Sequence, residues 1–229
     1  MTEHPLLEGT LKLPVKLATE SSYQSISMWF KTTTRTGVLL CINGTGILNR
    51  WIKNLFSGST DYQSMNAAAS IIPPGAEGLK ILPFGNGAER MLNNKFTGAQ
   101  FHVIDLNIHS SGHLVRAAQE GIAFSFRYGL DIMRGIGMNP TVIRAGKANL
   151  FLSKVFTQAF VDVTNTPVEL YDCDGSIGAA LGAGIGAGIY QSAKDAFSAA
   201  KPLGMVEPSA AAAYNEWYGE WKAVLQKQL

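Results

Sequence analysis

Few charges stand out in this chain, and that limits its partners. The formal net charge is +2 and charged residues make up 16% of the 229 positions. No block of five or six like charges occurs, so an electrostatic case for nucleic acid or an anionic membrane surface is lacking. Only two cysteines are present, Cys41 in an apolar run and Cys173 between two aspartates. They read as reduced thiols of a cytoplasmic protein, although spacing alone leaves a disulfide between them open. The N-terminus, Met-Thr-Glu-His-Pro, has no apolar core of the kind a secretory signal needs. A run long enough to cross a membrane is also absent. Residues 177–190 (IGAALGAGIGAGIY) are apolar but span only 14 positions, against about 20 for a membrane helix. Their glycines and alanines predict a helix whose small face packs closely on a neighbour.

Several motifs of catalysis are missing as well. There is no P-loop, no G-x-S-x-G and no H-E-x-x-H. His102, His109 and His113 read as loop and cap residues in preference to a metal set. Asp172-Cys173-Asp174-Gly175 resembles the start of a calcium loop, but the twelfth position is Ala183, not an acid. Its simpler role is an N-cap for the glycine-rich helix. No carboxylate pair or Ser–His pair marks a reacting centre, so no catalytic residue is assigned.

What remains is a core builder, 46% hydrophobic. Residues 10–34 alternate as strands, with Pro14 suggesting an edge. Val38 to Ile42 is a continuous apolar run, typical of a strand covered on both faces. Asn43-Gly44-Thr45-Gly46 then turns into a helix carrying Ile47, Leu48, Trp51, Ile52 and Leu55. Thr60 and Gln63 have capping-box spacing for a second helix through Ser70. Leu79 to Phe84 and Phe101 to Leu106 read as strands, and His113 to Arg134 as the longest helix. Strands Thr141–Arg144 and Val168–Tyr171 bracket a helix over Leu150–Phe160. The tail from Ser209 predicts an amphipathic helix with Trp217, Trp221 and Leu225 at spacing four. Its aromatics suit either the core or a contact in a homodimer. Alternating strands and helices from residue 37 onward give an α/β domain.

Two strand ends carry glycine turns, Asn43–Gly46 and Arg144–Gly146. Glycine admits close approach of a ligand to the main chain, and a helix start offers free N–H groups to an anion. If the two strands are neighbours, both turns face one cleft. The same turns also occur as plain packing devices.

Five stretches go further. They are 37–55 (GVLLCINGTGILNRWIKNL), 78–92 (GLKILPFGNGAERML), 113–127 (HLVRAAQEGIAFSFR), 143–154 (IRAGKANLFLSK) and 174–185 (DGSIGAALGAGI). In this order they resemble the C-terminal half of FGGY carbohydrate kinases, most nearly those acting on xylulose. His113, Leu114, Ala117, Ala118 and Glu120 fit the family's second signature, whereas Gln119 stands where it wants an apolar residue and Val103 where it wants glycine. The resemblance implies an actin/Hsp70-like, ribonuclease H-like fold of two domains around a cleft. It implies ATP and Mg2+ as cofactors, and a sugar bound mainly by a first domain that precedes this region. Residues 1–36 match nothing in that family, so residues 37–229 form the expected nucleotide-binding domain. Carried over by position, Gly44, Gly46 and Arg50 form one nucleotide-contacting set. Gly146 and Asn149 form another; Lys147, not matched by the family but adjacent to Gly146, is added as a candidate for a phosphate. The family's phosphate-binding threonine–glycine loop and its general-base aspartate have no counterpart in this sequence. The reading is therefore a kinase fragment inactive alone, against a non-catalytic nucleotide-binding or scaffold module derived from a kinase domain.

Overall fold

The structure, a computed structural model, describes residues 27–31, 36–56 and 61–229. Strands β1 (Ser27–Lys31) and β2 (Thr36–Leu39) form an antiparallel pair. Helices α1 (Thr45–Leu55) and α2 (Tyr62–Ser70) follow. Strands β3 (Lys80–Phe84) and β4 (Gly98–His102) make a second antiparallel pair, Ile81 opposite Phe101. Helix α3 (Ser111–Gly135) leads to β5 (Ile143–Gly146), a 3-10 turn at Asn149–Leu152 and α4 (Lys154–Thr164). Then come β6 (Val168–Tyr171), α5 (Gly175–Gly186), the short α6 (Ala193–Ala196), β7 (Pro202–Val206) and α7 (Ala211–Gln226). Strand β6 is central in the third sheet, parallel to β5 and antiparallel to β7.

Helix α3 is the spine. Val115, Ala118, Ile122 and Phe124 put its apolar face into the core against Ile81, Leu82, Phe156 and Phe160. It approaches β3 so closely that a Cβ on Gly121 would stand 2.2 Å from the Ile81 carbonyl oxygen. Helix α7 closes the same core with Tyr214, Trp221 and Leu225. The Trp221 indole N–H donates to the Ile81 carbonyl at 2.9 Å, so the largest core residue carries no unmet polar group. The tail aromatics thus belong mainly to the core; Tyr218 is buried too, its hydroxyl donating to Asp131 at 2.8 Å.

Buried charge on α3 is fully paired. The Arg116 Nε donates to Glu120 Oε1 at 2.9 Å, and the Gly75 N–H and Tyr214 hydroxyl reach the same oxygen at 3.0 and 2.9 Å. Gln119, an apolar position in the family signature, is wholly buried yet satisfied. It donates to Asn66 at 2.9 Å and accepts from the Ser153 hydroxyl at 2.8 Å.

Some expectations need correction. The strand expected at 38–42 sits at 36–39, and Leu39 is 45% exposed, so it is not covered on both faces. Helix α2 is capped by Asp61, which accepts from the Ser64 N–H at 2.7 Å, one residue later than the Thr60 box. The glycine-rich helix does form, but along α5 only Gly184 is buried, so its small face is not packed tightly on a neighbour. The strand pattern read at 11–17 lies outside the described residues. Among the described residues both cysteines are free, and no helix is long and apolar enough to cross a membrane.

Candidate functional site

The first turn leaves β2 at Leu39 and enters α1 at Thr45. Gly44 is buried, and a Cβ there would lie 1.6 Å from the Pro83 carbonyl oxygen. Its glycine is therefore required by contact with β3, not by space for a ligand. Gly46 is the opposite case: it is exposed, and nothing lies within 4 Å of where its Cβ would stand. Arg50, one helical turn on, is exposed on the same stripe.

A carboxylate from another loop holds this turn in place. Glu89 is 0% exposed. Its two carboxyl oxygens both accept from the Asn43 N–H, at 3.0 and 3.1 Å. Asn43 Nδ2 donates back to the Ala88 carbonyl at 2.9 Å, and Asn86 Nδ2 to the Asn43 carbonyl at 3.1 Å. Burial pushes the Glu89 carboxyl up from its ordinary range, and the backbone N–H bonds pull against that. No side chain caps α1 locally. Glu89 supplies negative charge to that helix end from 45 positions away.

The second turn differs from its sequence reading. Gly146 is the last residue of β5, and its Cβ position would lie 2.2 Å from the Cys173 carbonyl oxygen. The N–H groups expected to be free are occupied. Lys147 donates to the Tyr171 carbonyl and Ala148 to the Gly146 carbonyl, both at 2.8 Å. Nor does a helix start here. The 3-10 turn intervenes, and α4 begins only at Lys154, capped by Ser153, whose hydroxyl accepts from the Phe156 N–H at 3.3 Å. Lys147 and Asn149 are both exposed, and Asn149 adopts the left-handed conformation at φ 52°.

The two turns do not share a sheet: β2 pairs with β1, and β5 pairs with β6. Their strands meet instead through Val38, Leu40 and Ile143, which pack around Leu130 and Met133 near the end of α3. A cavity of about 210 Å³ opens beside the first turn, between Gly44, Ile47, Trp51, Pro83, Asn86 and Phe101. Trp51 is 49% exposed there, its ring 6.1 Å from that of Phe101. Gly46 and Arg50 lie on the adjacent stripe of α1, outside the cavity lining, as do Gly146, Lys147 and Asn149.

The remaining candidates have structural duties. His113 Nδ1 accepts from the Ser110 N–H at 3.0 Å, and its Nε2 meets Glu77 at 2.5 Å. His109 Nδ1 accepts from the Asp105 N–H at 2.9 Å, and His102 pairs with Gln100 at 3.0 Å. Asp174 caps α5: the Ser176 hydroxyl donates to it at 2.6 Å and the Ile177 and Ser176 N–H groups at 3.2 and 2.9 Å, which together hold its carboxyl below the usual range. Among the described residues, no group of three His, Cys, Asp or Glu side chains stands together to hold a metal. Glu89 was not singled out by sequence reasoning. Its only signal was its place inside the 78–92 stretch.

With this geometry in hand, the chain can be set beside known proteins. No protein-family model matches it. It is 34% identical over 132 residues to a xylulose kinase of Haemophilus influenzae, covering 57% of this chain and 26% of that protein. It is 31% identical over 145 residues to the L-xylulose/3-keto-L-gulonate kinase of Escherichia coli, covering 61% and 27%. The crystal structure of xylulose kinase from Rhodospirillum rubrum superposes with a TM-score of 0.67 at 26% identity, over 84% of this chain and 39% of that one. Gluconate kinase from Lactobacillus acidophilus gives a TM-score of 0.76 at 20% identity, a likeness of fold alone. The chain is thus homologous to FGGY carbohydrate kinases and has the α/β fold of one part of these actin/Hsp70-like enzymes. It spans about a quarter of the length of the curated relatives it matches.

Proposed function

We propose that this chain is the nucleotide-holding, C-terminal part of an ATP-dependent sugar kinase that phosphorylates a ketopentose such as xylulose. The similarity to a xylulose kinase, 34% over 132 residues, carries the reading. In it, residues 37–229 hold ATP or ADP in the cytoplasm, while the sugar and the base that takes its proton lie in the rest of the kinase.

Phosphoryl transfer leaves little covalent work to the protein, which positions the groups and balances charge. Gly46 fits the role of a close-approach residue because its face is open. Arg50 and Lys147 are exposed cations suited to phosphates, and Asn149 offers an amide from a left-handed corner. Mg2+ would come in on the phosphates and shield them. No residue of this chain is assigned to hold it.

The rival reading, a scaffold that has lost nucleotide binding, is favoured by one observation: the Gly146 corner is filled by the Cys173 carbonyl. Calorimetry with ADP separates the two. Weak but saturable heat supports the kinase reading, and none supports the scaffold. A coupled assay with ATP and xylulose is expected to give no turnover from the isolated chain. Turnover above background, abolished by Gly46→Val, would show that the reacting groups are here after all.

A further inference from the structure

The geometry points to Glu89 as a positioning residue for the nucleotide: its buried carboxylate fixes the turn from which α1 presents Gly46 and Arg50. The claim rests on the kinase reading for its binding arm only. A carboxylate with no exposure is costly to bury, and here it has no cation within salt-bridge distance among the described residues. Its compensation is the N–H group of Asn43, two residues before α1, which reaches both carboxyl oxygens. Asn43 and Asn86 add bonds between the same loops in both directions. Gly44 meanwhile rests on the Pro83 carbonyl, so the turn is clamped from two sides. Gly46 and Arg50 lie two and six residues beyond the clamp, on the first turns of a rigid helix. Releasing the clamp lets that helix start shift relative to β3.

The structure holds a matched control. Asp162, also buried, accepts from the Ser209 and Ala210 N–H groups at 2.5 and 2.9 Å, just before α7. It anchors a helix start in the same way, but α7 carries none of the proposed nucleotide residues.

The test compares Glu89→Ala, Glu89→Gln and Asp162→Asn in the full chain, by amide hydrogen exchange and ADP calorimetry. Removing a charged acceptor is expected to speed exchange at Asn43 by about 10- to 100-fold in Glu89→Ala. Glu89→Gln keeps one acceptor oxygen and recovers part of the protection; it also serves if the alanine variant does not fold. ADP affinity is expected to fall about tenfold in Glu89→Ala and less than about twofold in Asp162→Asn. Unchanged exchange at Asn43 overturns the clamp and leaves the kinase reading standing. Equal losses of ADP affinity in the Glu89 and Asp162 variants overturn the positioning role. A wild-type chain that binds no ADP overturns the kinase reading, and Glu89's use in it, whatever the exchange shows.

Discussion

Two glycines in one turn, Gly44 and Gly46, are expected to respond in opposite directions to the same methyl group. Gly44 has ordinary helical angles, φ −82° and ψ −6°, so alanine meets no backbone strain there. Its Cβ, however, would sit 1.6 Å from the Pro83 carbonyl oxygen, where ordinary contact begins near 3.4 Å. Backbone cannot rotate away as a side chain can, so α1 and β3 must part. Overpacking of this kind costs about 1–3 kcal/mol. At roughly 2–4 °C per kcal/mol for a chain of this length, Gly44→Ala should lower Tm by about 2–12 °C. Gly46 lies in the first turn of α1 with open space around it. Alanine should stabilise that turn by about 0.5 kcal/mol, a rise of roughly 1–2 °C. If Gly46 also lies against the nucleotide, its methyl should weaken ADP binding about tenfold, or ~1.4 kcal/mol. Calorimetric melting and ADP titration of both variants decide the matter. A Gly44→Ala chain as stable as wild type refutes the packing argument. A Gly46→Ala chain that gains stability and keeps full ADP affinity removes Gly46 from the site.

Other variants probe the frame around that turn. Glu120→Ala should cost about 3–5 kcal/mol, because Arg116 is left buried without its anion; chemical denaturation measures it, and a loss below about 1 kcal/mol refutes the network. Leu225→Ala, at a fully buried position of α7, should cost about 2–5 kcal/mol in the same assay. Gln119→Leu restores the family's apolar choice but strands the Ser153 hydroxyl and the Asn66 amide. A net destabilisation of about 1–3 kcal/mol is expected, and a stabilised variant would show that those two groups find other partners.

Much of the fold was legible because local periodicity reports local structure. Val168–Tyr171 was read to the residue, α3 within two residues and α7 within three at either end, and the apolar residues read for α1 all fall on it. Three misreadings share one cause. Val38–Ile42 is apolar enough for a doubly covered strand, but its burial depends on which elements lie across it, and Leu39 faces outward. The glycine-rich α5 has the composition of a tightly packed helix, yet composition does not supply the neighbour. At Gly146 the sequence offers a small residue after a strand. Whether a ligand or the Cys173 carbonyl fills the space is decided by the chain following β6, some 27 positions later. The family resemblance succeeded where single turns could not, because five stretches in order constrain the topology that each alone leaves free.

The helix starts show the same divide between near and far. Asp61, Ser153 and Asp174 cap their helices from the adjoining residue. Such caps leave a local signal, which located Asp174 and came within one residue of Asp61. Helices α1 and α7 have no local side-chain cap. Each instead receives a buried carboxylate from another element, Glu89 and Asp162. A local cap stabilises a helix wherever it goes; a remote one also fixes where the helix start lies in the fold. For α7 the consequence is closure of the core by Trp221 and Leu225. For α1 it is the placement of an open glycine and an exposed arginine at the protein surface. A helix start that must hold position against a ligand has more use for the second kind of anchor. Losing Glu89 should therefore cost α1 its place before it costs α1 its helicity. Far-ultraviolet dichroism unchanged in Glu89→Gln, alongside faster exchange at Asn43, is the expected pairing; lost helicity would make Glu89 an ordinary cap.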